Sequence, residues 1–461
     1  STTTVMPPNT PFPCRAGPLT AILDVGQTRT RLVVLDPLGE GVHQDECRLA
    51  PVRAGDCLAL DTDGLADWLP QALADLGPLR AALASLCVIA RGEALAAVDG
   101  ERLVMPVADG AVDWLQRHGH GDFLRARLMP CAQYWSWWLS GVASSEVTSL
   151  GGQSPLWQPG LGDFSVLARQ RGWAGQFAPL RRAWEVLGPV RVPLATRLGL
   201  PASLQVHVGA HASGAALARH LRASPRMTLV RTGDWCVVMA PGAPNRPLDA
   251  QRDLFSGVSV RQERVPTGRF PGGHEWRWLC GPAAVQAPAS AEALHTVLED
   301  GLLVLPGFGA RGGPFRDRPG EVIDRHGQRV DLDTLDPARR AALAALYVAQ
   351  ITAWLIGRLG GTGPVVVEGP LAQHPVYTGV LAALLPGDAV WLDTDVLDGS
   401  VRGAWELTRW TDPQVHPPSM RPVHAVADAE RLQHLQRRWC HLLGEGVQAD
   451  LDIGADADPM A

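Results

Sequence analysis

Residues 21–36 place chemically active side chains between two apolar runs. The first run ends at Asp24, a polar turn carries Gly26 and Thr28, and the second run follows Arg31. Two strand-length runs joined by such a turn predict a β-hairpin. A carboxylate at a strand end can hold Mg²⁺ directly or through water, glycine admits a phosphate close to the backbone, and threonine or arginine can donate to phosphate oxygens. On this local pattern alone, a solvated turn without a ligand is the favoured interpretation.

The second half of the chain repeats this pattern. Residues 227–231 predict a strand, Thr232 and Gly233 a turn, and residues 235–239 the return strand. Each half of the chain is therefore predicted to begin with a hairpin whose glycine turn can face a phosphate.

Other elements must position these two turns. Short apolar runs predict buried strands at 86–90, 365–368 and 390–392, and a hairpin turns at Asp99 and Gly100. Helical spacing of apolar residues predicts helices, while glycine clusters predict loops at 272–275 and 307–315. The predicted helices cover residues 65–76, 134–139, 165–187, 212–222, 338–359 and 427–443.

Length and charge exclude some classes of function. A chain of 461 residues predicts two to three domains. Its net charge of −6 argues against nucleic acid or an anionic membrane as the main partner. The chain contains no lysine, so all 41 basic residues are arginine and no Schiff base can form on a lysine.

Cysteines and terminal segments indicate a soluble cytoplasmic protein. The eight cysteines are scattered without a C-x-x-C pair, which argues against a zinc site or a disulfide framework. Residues 1–18 lack the apolar stretch of a signal peptide and predict a disordered tail, and 447–461 predict an acidic tail. The apolar stretch 341–357 is short for a membrane span and predicts a buried helix.

Six segments occur in an order that resembles the FGGY carbohydrate kinases. They match the family's first phosphate hairpin, a sugar-pocket segment, a tryptophan-rich helix with its following loop, the Gly-x-His-Asp-Ser motif, the second phosphate hairpin and a nucleotide-proximal glycine turn. These segments span residues 24–31, 90–106, 132–151, 207–213, 231–235 and 366–370. Six ordered matches predict the family far better than any single one.

The resemblance implies an α/β fold of two actin-like (ribonuclease H-like) domains with an interdomain cleft. Residues 19–221 would form the N-terminal, sugar-binding domain, and residues 222–446 the C-terminal, nucleotide-binding domain. The implied reaction is phosphoryl transfer from ATP, with Mg²⁺, to a hydroxyl of a small sugar or polyol. The resemblance is also compatible with a homodimer.

The resemblance also assigns roles to residues. Asp24 is implied as the metal residue. Nucleotide or phosphate contacts are implied for Asp24, Gly26, Thr28, Arg31, Thr232, Gly233, Gly369 and Pro370. Sugar contacts are implied for Arg91, Gly92, Glu93, Asp109 and His211.

The sequence differs from the family at the position of the catalytic base. The family's Gly-x-His-Asp-Ser aspartate accepts the proton of the sugar hydroxyl, and Ala212 stands in its place. Loss of such a base typically lowers the rate ~10²–10⁴-fold. Asp234 could substitute as the base or bind Mg²⁺, and His211 or Asp109 could assist.

Both hairpin turns also differ from the family. Arg29 and Arg231 replace hydroxyl residues and could supply charge to phosphate, whereas an unpaired Asp234 carboxylate would repel it. The sugar-pocket loop contains Asp109 between Ala108 and Gly110, and the connection 111–128 is short for the family. Two hypotheses follow: an active carbohydrate kinase, or a catalytically inactive pseudokinase that binds sugar or nucleotide or serves as a structural partner.

Overall fold

The computed structural model describes residues 17–151, 155–282, 288–308 and 312–445. The chain divides into two compact units near the predicted boundary at 221/222. The first unit is Ser1–Ser224, Ser256–Arg264 and Val396–Pro418, and the second is Pro225–Phe255, Val265–Asp395 and Ser419–Ala461. After residue 224 the chain therefore returns twice to the first unit. The sequence had predicted one continuous second domain over residues 222–446. The predicted tails lie almost wholly outside the described residues.

Strands supply the framework of both units. In chain order they are β1 Leu19–Val25, β2 Arg29–Leu35, β3 Gly41–Arg48, β4 Val52–Ala54, β5 Cys57–Ala59, β6 Leu83–Ala90, β7 Leu95–Asp99, β8 Arg102–Leu103, β9 Arg127–Pro130, β10 Trp157–Gln158, β11 Asp163–Phe164, β12 Val186–Pro189, β13 Gln205–His207, β14 Ala210–His211, β15 Thr228–Arg231, β16 Cys236–Met239, β17 Leu254–Val258, β18 Arg264–Phe270, β19 Leu303–Leu305, β20 Glu321–Ile323, β21 Val365–Glu368, β22 Val390–Asp393 and β23 Met420–Pro422.

Helices cover the sheets. They are α1 Thr62–Ala74, α2 Ala111–His118, α3 Cys131–Ser140, α4 Val147–Gly151, α5 Val166–Gln170, α6 Val192–Leu198, α7 Ala212–Ala223, α8 Gly272–Cys280, α9 Ala291–Glu299, α10 Pro337–Leu359, α11 Pro375–Leu384, α12 Gly399–Thr408 and α13 Ala429–Leu442.

The first unit is built on a mixed sheet in the order β12-β13-β6-β1-β2-β3. Strands β1 and β2 form the predicted antiparallel hairpin, and β6 runs parallel to β1 on its other side. Every residue of β1 is buried, because the strand has neighbours on both edges and apolar clusters on both faces. The polar turn at the end of this hairpin thus rests on a rigid central strand.

The second unit repeats this arrangement. Its sheet has the order β17-β18-β16-β15-β21-β22-β23. Strands β15 and β16 form the second predicted hairpin, and β21 runs parallel to β15 just as β6 runs parallel to β1. The duplication predicted from the two hairpins is therefore confirmed.

Helix α10 forms the core of the second unit. Asp336 caps it by accepting a hydrogen bond from the Arg339 amide, and Pro337 occupies its first turn. By length and composition this helix could cross a membrane, but 83% of its most apolar window is buried inside the protein. That burial is typical of the core helix of a globular domain.

Two predicted elements are wrong. The stretch predicted as a helix over 165–187 contains α5, a short 3-10 turn, Ala174–Gln176, and the first residues of strand β12. Gly172 adopts a φ of 79° there and Pro179 cannot donate a helical hydrogen bond, so the helix ends early. Residues 272–275, predicted as a loop, form the first turn of α8.

The predicted loop at 307–315 falls partly outside the described residues, since 309–311 are not described. The cysteines in the described part of the chain are free thiols.

Helices α7 and α12 of the first unit approach closely at Gly403. A Cβ atom at this position would lie 1.8 Å from the Ala215 carbonyl oxygen. We expect Gly403→Ala to push the helices apart and lower the free energy of unfolding by about 1–3 kcal/mol or more. Urea denaturation measures this loss.

Gly175→Ala is the matched control, because a Cβ at Gly175 would meet nothing within 4 Å. It should change the free energy of unfolding by no more than about 0.5 kcal/mol. Equal effects of the two substitutions would contradict the close approach.

Candidate functional site

Asp24 lies at the end of β1 and is almost completely buried. It stands directly opposite Arg31 in the β1–β2 hairpin. The Arg31 guanidinium donates to Asp24 Oδ2 from Nη2 at 2.5 Å and from Nε at 3.1 Å. This cross-strand pair fixes the carboxylate inside the first unit, because breaking a buried ion pair leaves an uncompensated charge.

A second guanidinium reaches the same carboxylate. Arg91 follows β6, and its Nε lies 3.3 Å from Asp24 Oδ1 while its Nη2 lies 3.2 Å from Oδ2. Arg91 Nη2 also lies 3.4 Å from Asp398 Oδ2 and 3.2 Å from Ser400 Oγ. Asp398 caps α12 by accepting from the Ser400 amide. Two arginines and two aspartates thus form a cluster without net formal charge.

This cluster does not fit the predicted role of Asp24 as a Mg²⁺ residue. Both carboxylate oxygens accept hydrogen bonds from guanidinium groups, and only 2% of the side chain is exposed. A metal or a metal-bound water needs an accessible oxygen lone pair. Across the described residues, no group of three or more His, Cys, Asp or Glu side chains could hold a metal ion.

The turn of the first hairpin keeps its predicted shape. The Gly26 amide donates to the Arg29 carbonyl at 3.0 Å, and a Cβ at Gly26 would lie 2.4 Å from that oxygen, so only glycine fits. Thr28 is exposed at the tip. Arg29, predicted as a source of charge for phosphate, pairs instead with Glu46 at 2.5 Å.

The predicted sugar residues of the first unit come together beside this turn. Asp109 accepts hydrogen bonds from the side chain of Gln27 and, at 3.0 Å, from the Glu93 amide. His211 Nε2 lies 2.9 Å from the Gly92 carbonyl oxygen. Three loops that are distant in sequence are therefore tied into one surface.

His211 is the N-cap residue of helix α7, and hydrogen bonds fix the orientation of its ring. Its Nδ1 accepts from the Ser213 amide at 3.1 Å, so its Nε2 carries the proton that it donates to Gly92. The next residue, Ala212, is buried and offers no acceptor for a proton.

A buried carboxyl supports the start of α7 from below. Thr148 Oγ1 accepts from the His211 amide at 3.0 Å and donates to Glu146 Oε2. Glu146 is fully buried, and burial raises its pKa to about 7 against the opposing hydrogen bonds from Thr148 and Ser149. This carboxyl was not predicted as a site residue, since nothing in the local sequence pattern distinguishes it from an exposed glutamate.

The second hairpin uses its threonine for structure. The Thr232 hydroxyl donates to the Glu368 carbonyl at 2.6 Å and accepts from the Leu371 amide at 3.1 Å. Gly369 has a φ of 94°, and a Cβ there would lie 2.1 Å from the Thr232 carbonyl oxygen. The predicted nucleotide residues Thr232, Gly233, Gly369 and Pro370 therefore lie on two adjoining turns, but the Thr232 hydroxyl serves to join these turns.

Both charged residues of the second hairpin have partners. Arg231 Nε lies 2.8 Å from Glu368 Oε1, across the parallel β15–β21 pair. Asp234 lies 2.8 Å from Arg277 of α8, and both side chains are more than half exposed. The Asp234 carboxylate is therefore paired, and Arg277 screens the charge that would otherwise repel phosphate.

A cavity of about 860 Å³ opens beside Arg277 in the second unit. Its lining includes the exposed Trp278, and the centroids of the Trp278 and Phe308 rings are 4.4 Å apart. In the first unit, a cavity of about 150 Å³ is lined by Gln27 and Arg91 among mostly apolar neighbours. Each unit thus has a cavity next to its hairpin turn.

Part of the chain matches a known protein family. The family model described as carbohydrate kinase FGGY, C-terminal domain, matches residues 224–417. No curated protein matches the chain in sequence. A solved carbohydrate kinase from Novosphingobium aromaticivorans is 29% identical with a TM-score of 0.79, covering 92% of this chain and 99% of its own.

More distant structures share the fold. A gluconate kinase from Lactobacillus acidophilus is 14% identical with a TM-score of 0.75, covering 92% of this chain and 98% of its own. A Plasmodium falciparum glycerol kinase solved with ADP is 10% identical with a TM-score of 0.74, covering 93% of this chain and 99% of its own.

The two repeated units and these shared folds define a protein of the two-domain, actin-like class. Residues 224–417 match the C-terminal domain of the FGGY carbohydrate kinases, and the chain is similar over 92% of its length to a solved carbohydrate kinase.

The buried Glu146 predicts a pH effect on stability. Its pKa is about 7 in the folded protein against an ordinary value of 4.5, so the folded state binds the proton more tightly than the unfolded state. Stability from this group is complete below pH 4.5 and is lost as the pH rises to 7. Glu146→Gln should therefore become more stable than the native protein with rising pH, by up to about 3 kcal/mol near pH 8.

Urea denaturation of both proteins at pH 5 and pH 8 measures this difference. The exposed Glu40→Gln is the control and should shift the free energy of unfolding by no more than about 0.5 kcal/mol. If the free energies of unfolding of Glu146→Gln and the native protein differed by the same amount at both pH values, the raised pKa of Glu146 would be refuted.

Proposed function

We propose that the protein catalyses transfer of a phosphoryl group from ATP to a hydroxyl of a small sugar or polyol. The observation that carries this proposal is the pair of glycine-turn hairpins, one on each mixed sheet, in a chain whose residues 224–417 match the FGGY carbohydrate kinase C-terminal domain. Phosphoryl transfer depends mainly on positioning and on stabilising charge, and rigid hairpin turns serve both.

The second unit is the proposed nucleotide unit. Gly233, Gly369 and Pro370 lie on adjoining turns where a phosphate chain can approach the backbone. The neighbouring cavity offers Trp278 as an aromatic face for a base and the Arg277 guanidinium for phosphate oxygens.

The first unit is the proposed carbohydrate unit. Arg91, Glu93, Asp109 and His211 lie on loops that hydrogen bonds join into one surface. Its neighbouring cavity of about 150 Å³ suits a small acceptor. We place the protein in the cytoplasm, where ATP is available and its free thiols stay reduced.

Ala212 sets the expected rate. The family's carboxylate at this position accepts the proton of the attacking hydroxyl, and alanine leaves that proton to solvent or to another group. Asp109 is held by two hydrogen bonds in the same unit, and Asp234 is held by Arg277 in the other. We therefore expect slow turnover that is limited by proton removal.

A second candidate function is ligand binding without turnover. Ala212 favours it directly, because the residue that the family uses as base is absent. In this role the protein would bind a sugar or a nucleotide as a sensor or partner.

Ala212→Asp separates the two candidates. If the protein is a kinase that lacks only its base, the variant should raise kcat roughly 10²–10⁴-fold with little change in KM. ADP release from Mg-ATP in the presence of a panel of ketoses and polyols measures the rate. Ala74→Asp, which adds the same charge on the exposed face of α1, is the control and should leave kcat unchanged.

Thermal melting with nucleotide and sugar, separately and together, completes the test. Ligands that raise Tm without turnover in either protein would favour the binding function. Fast turnover in the native protein that Ala212→Asp does not increase would show that another group already accepts the proton.

A further inference from the structure

We propose that Arg91 takes the place of a divalent cation at the first hairpin and keeps metal ions away from Asp24. The Arg91 guanidinium lies between the carboxylates of Asp24 and Asp398. A metal ion at that position would be coordinated by the oxygens of both carboxylates. This inference goes beyond the proposed function, because it concerns cation binding to the protein without nucleotide or sugar.

The use of the Asp24 oxygens carries the first step. Oδ2 accepts from Arg31 and from Arg91, and Oδ1 accepts from Arg91 Nε. Because the side chain is only 2% exposed, a hydrated cation has no open path to either oxygen. A metal could bind only by displacing a guanidinium.

The second argument for the proposal is the charge balance of the cluster. The two aspartates are matched by the two positive charges of Arg31 and Arg91. Adding a divalent cation to this neutral cluster would set it against two guanidinium groups at close range, and like charges repel strongly where water is excluded.

Arg91 is the guanidinium whose removal would open the site. Arg31 is 12% exposed and bound across the hairpin at 2.5 Å, whereas the Arg91 side chain is 42% exposed and its bonds to the cluster are 3.2–3.4 Å long. Without Arg91, Asp24 Oδ1 and Asp398 Oδ2 would face the vacated space. Two carboxylates and the nearby Ser400 hydroxyl are oxygen ligands that Mg²⁺ or Mn²⁺ accepts.

Mn²⁺ binding to the full chain tests this assignment. Electron paramagnetic resonance of free Mn²⁺ is recorded during titration of the native protein, Arg91→Gln and Arg91→Lys, without nucleotide or sugar. We expect Arg91→Gln to bind one Mn²⁺ at least tenfold more tightly than the native protein. Arg91→Lys should stay like the native protein, because its ammonium keeps a positive charge in the cluster.

Two further variants locate the ion. Asp24→Asn combined with Arg91→Gln should lose the gained site. Arg29→Gln removes the other paired arginine of this hairpin, whose partner is Glu46, and should gain no site.

Three results would overturn the proposal. They are a folded Arg91→Gln protein without a Mn²⁺ site, a gain that survives Asp24→Asn, and a native-protein site that Asp24→Asn removes. The last result needs only the native protein and Asp24→Asn, so the proposal stays open to refutation even if Arg91→Gln does not fold. None of these results decides whether the protein transfers phosphate.

Discussion

The buried ion pair between Asp24 and Arg31 is the constraint on which the first unit depends. The pair joins directly opposite residues of the β1–β2 hairpin, and the hairpin forms the centre of the sheet together with β6. A buried carboxylate without its partners would cost about 3–5 kcal/mol. The positions of the glycine turn, of the Arg91 loop and of the start of α12 therefore follow from one carboxylate.

The second unit also contains an arginine–carboxylate pair at its hairpin, but the acid and the arginine have exchanged strands. In the first unit the acid lies on the first hairpin strand and the arginine follows the adjacent parallel strand. In the second unit Arg231 lies on the hairpin strand and Glu368 on the parallel strand. An arginine–carboxylate pair thus joins each hairpin to its parallel neighbouring strand. Because these charged side chains bind each other, they are not available to bind phosphate.

Local patterns in the sequence predicted the parts of the fold that local physics determines. The two hairpins, the strand at 365–368 and the helix capped by Asp336 follow from apolar spacing and turn residues. The partners of the charged side chains could not be predicted, because they are set by tertiary packing. Asp398 lies far along the chain from Asp24, and no local signal connects them.

The loops that carry the proposed sugar residues show the same limit. Arg91, Glu93, Asp109 and His211 were predicted through the family resemblance. In the structure, Glu93 bonds to Asp109, and His211 bonds to the carbonyl of Gly92, next to Arg91. The buried Glu146 beneath His211 was missed, since burial of a single glutamate leaves no pattern in the sequence.

A double-mutant cycle between Asp24 and Arg31 tests the central claim most directly. The free energies of unfolding of Asp24→Asn, Arg31→Gln and the double variant are compared with that of the native protein. A pair that holds the hairpin in a buried setting predicts a coupling energy of about 1.5 kcal/mol or more. A coupling below about 0.5 kcal/mol, as for an exposed ion pair, would contradict the account.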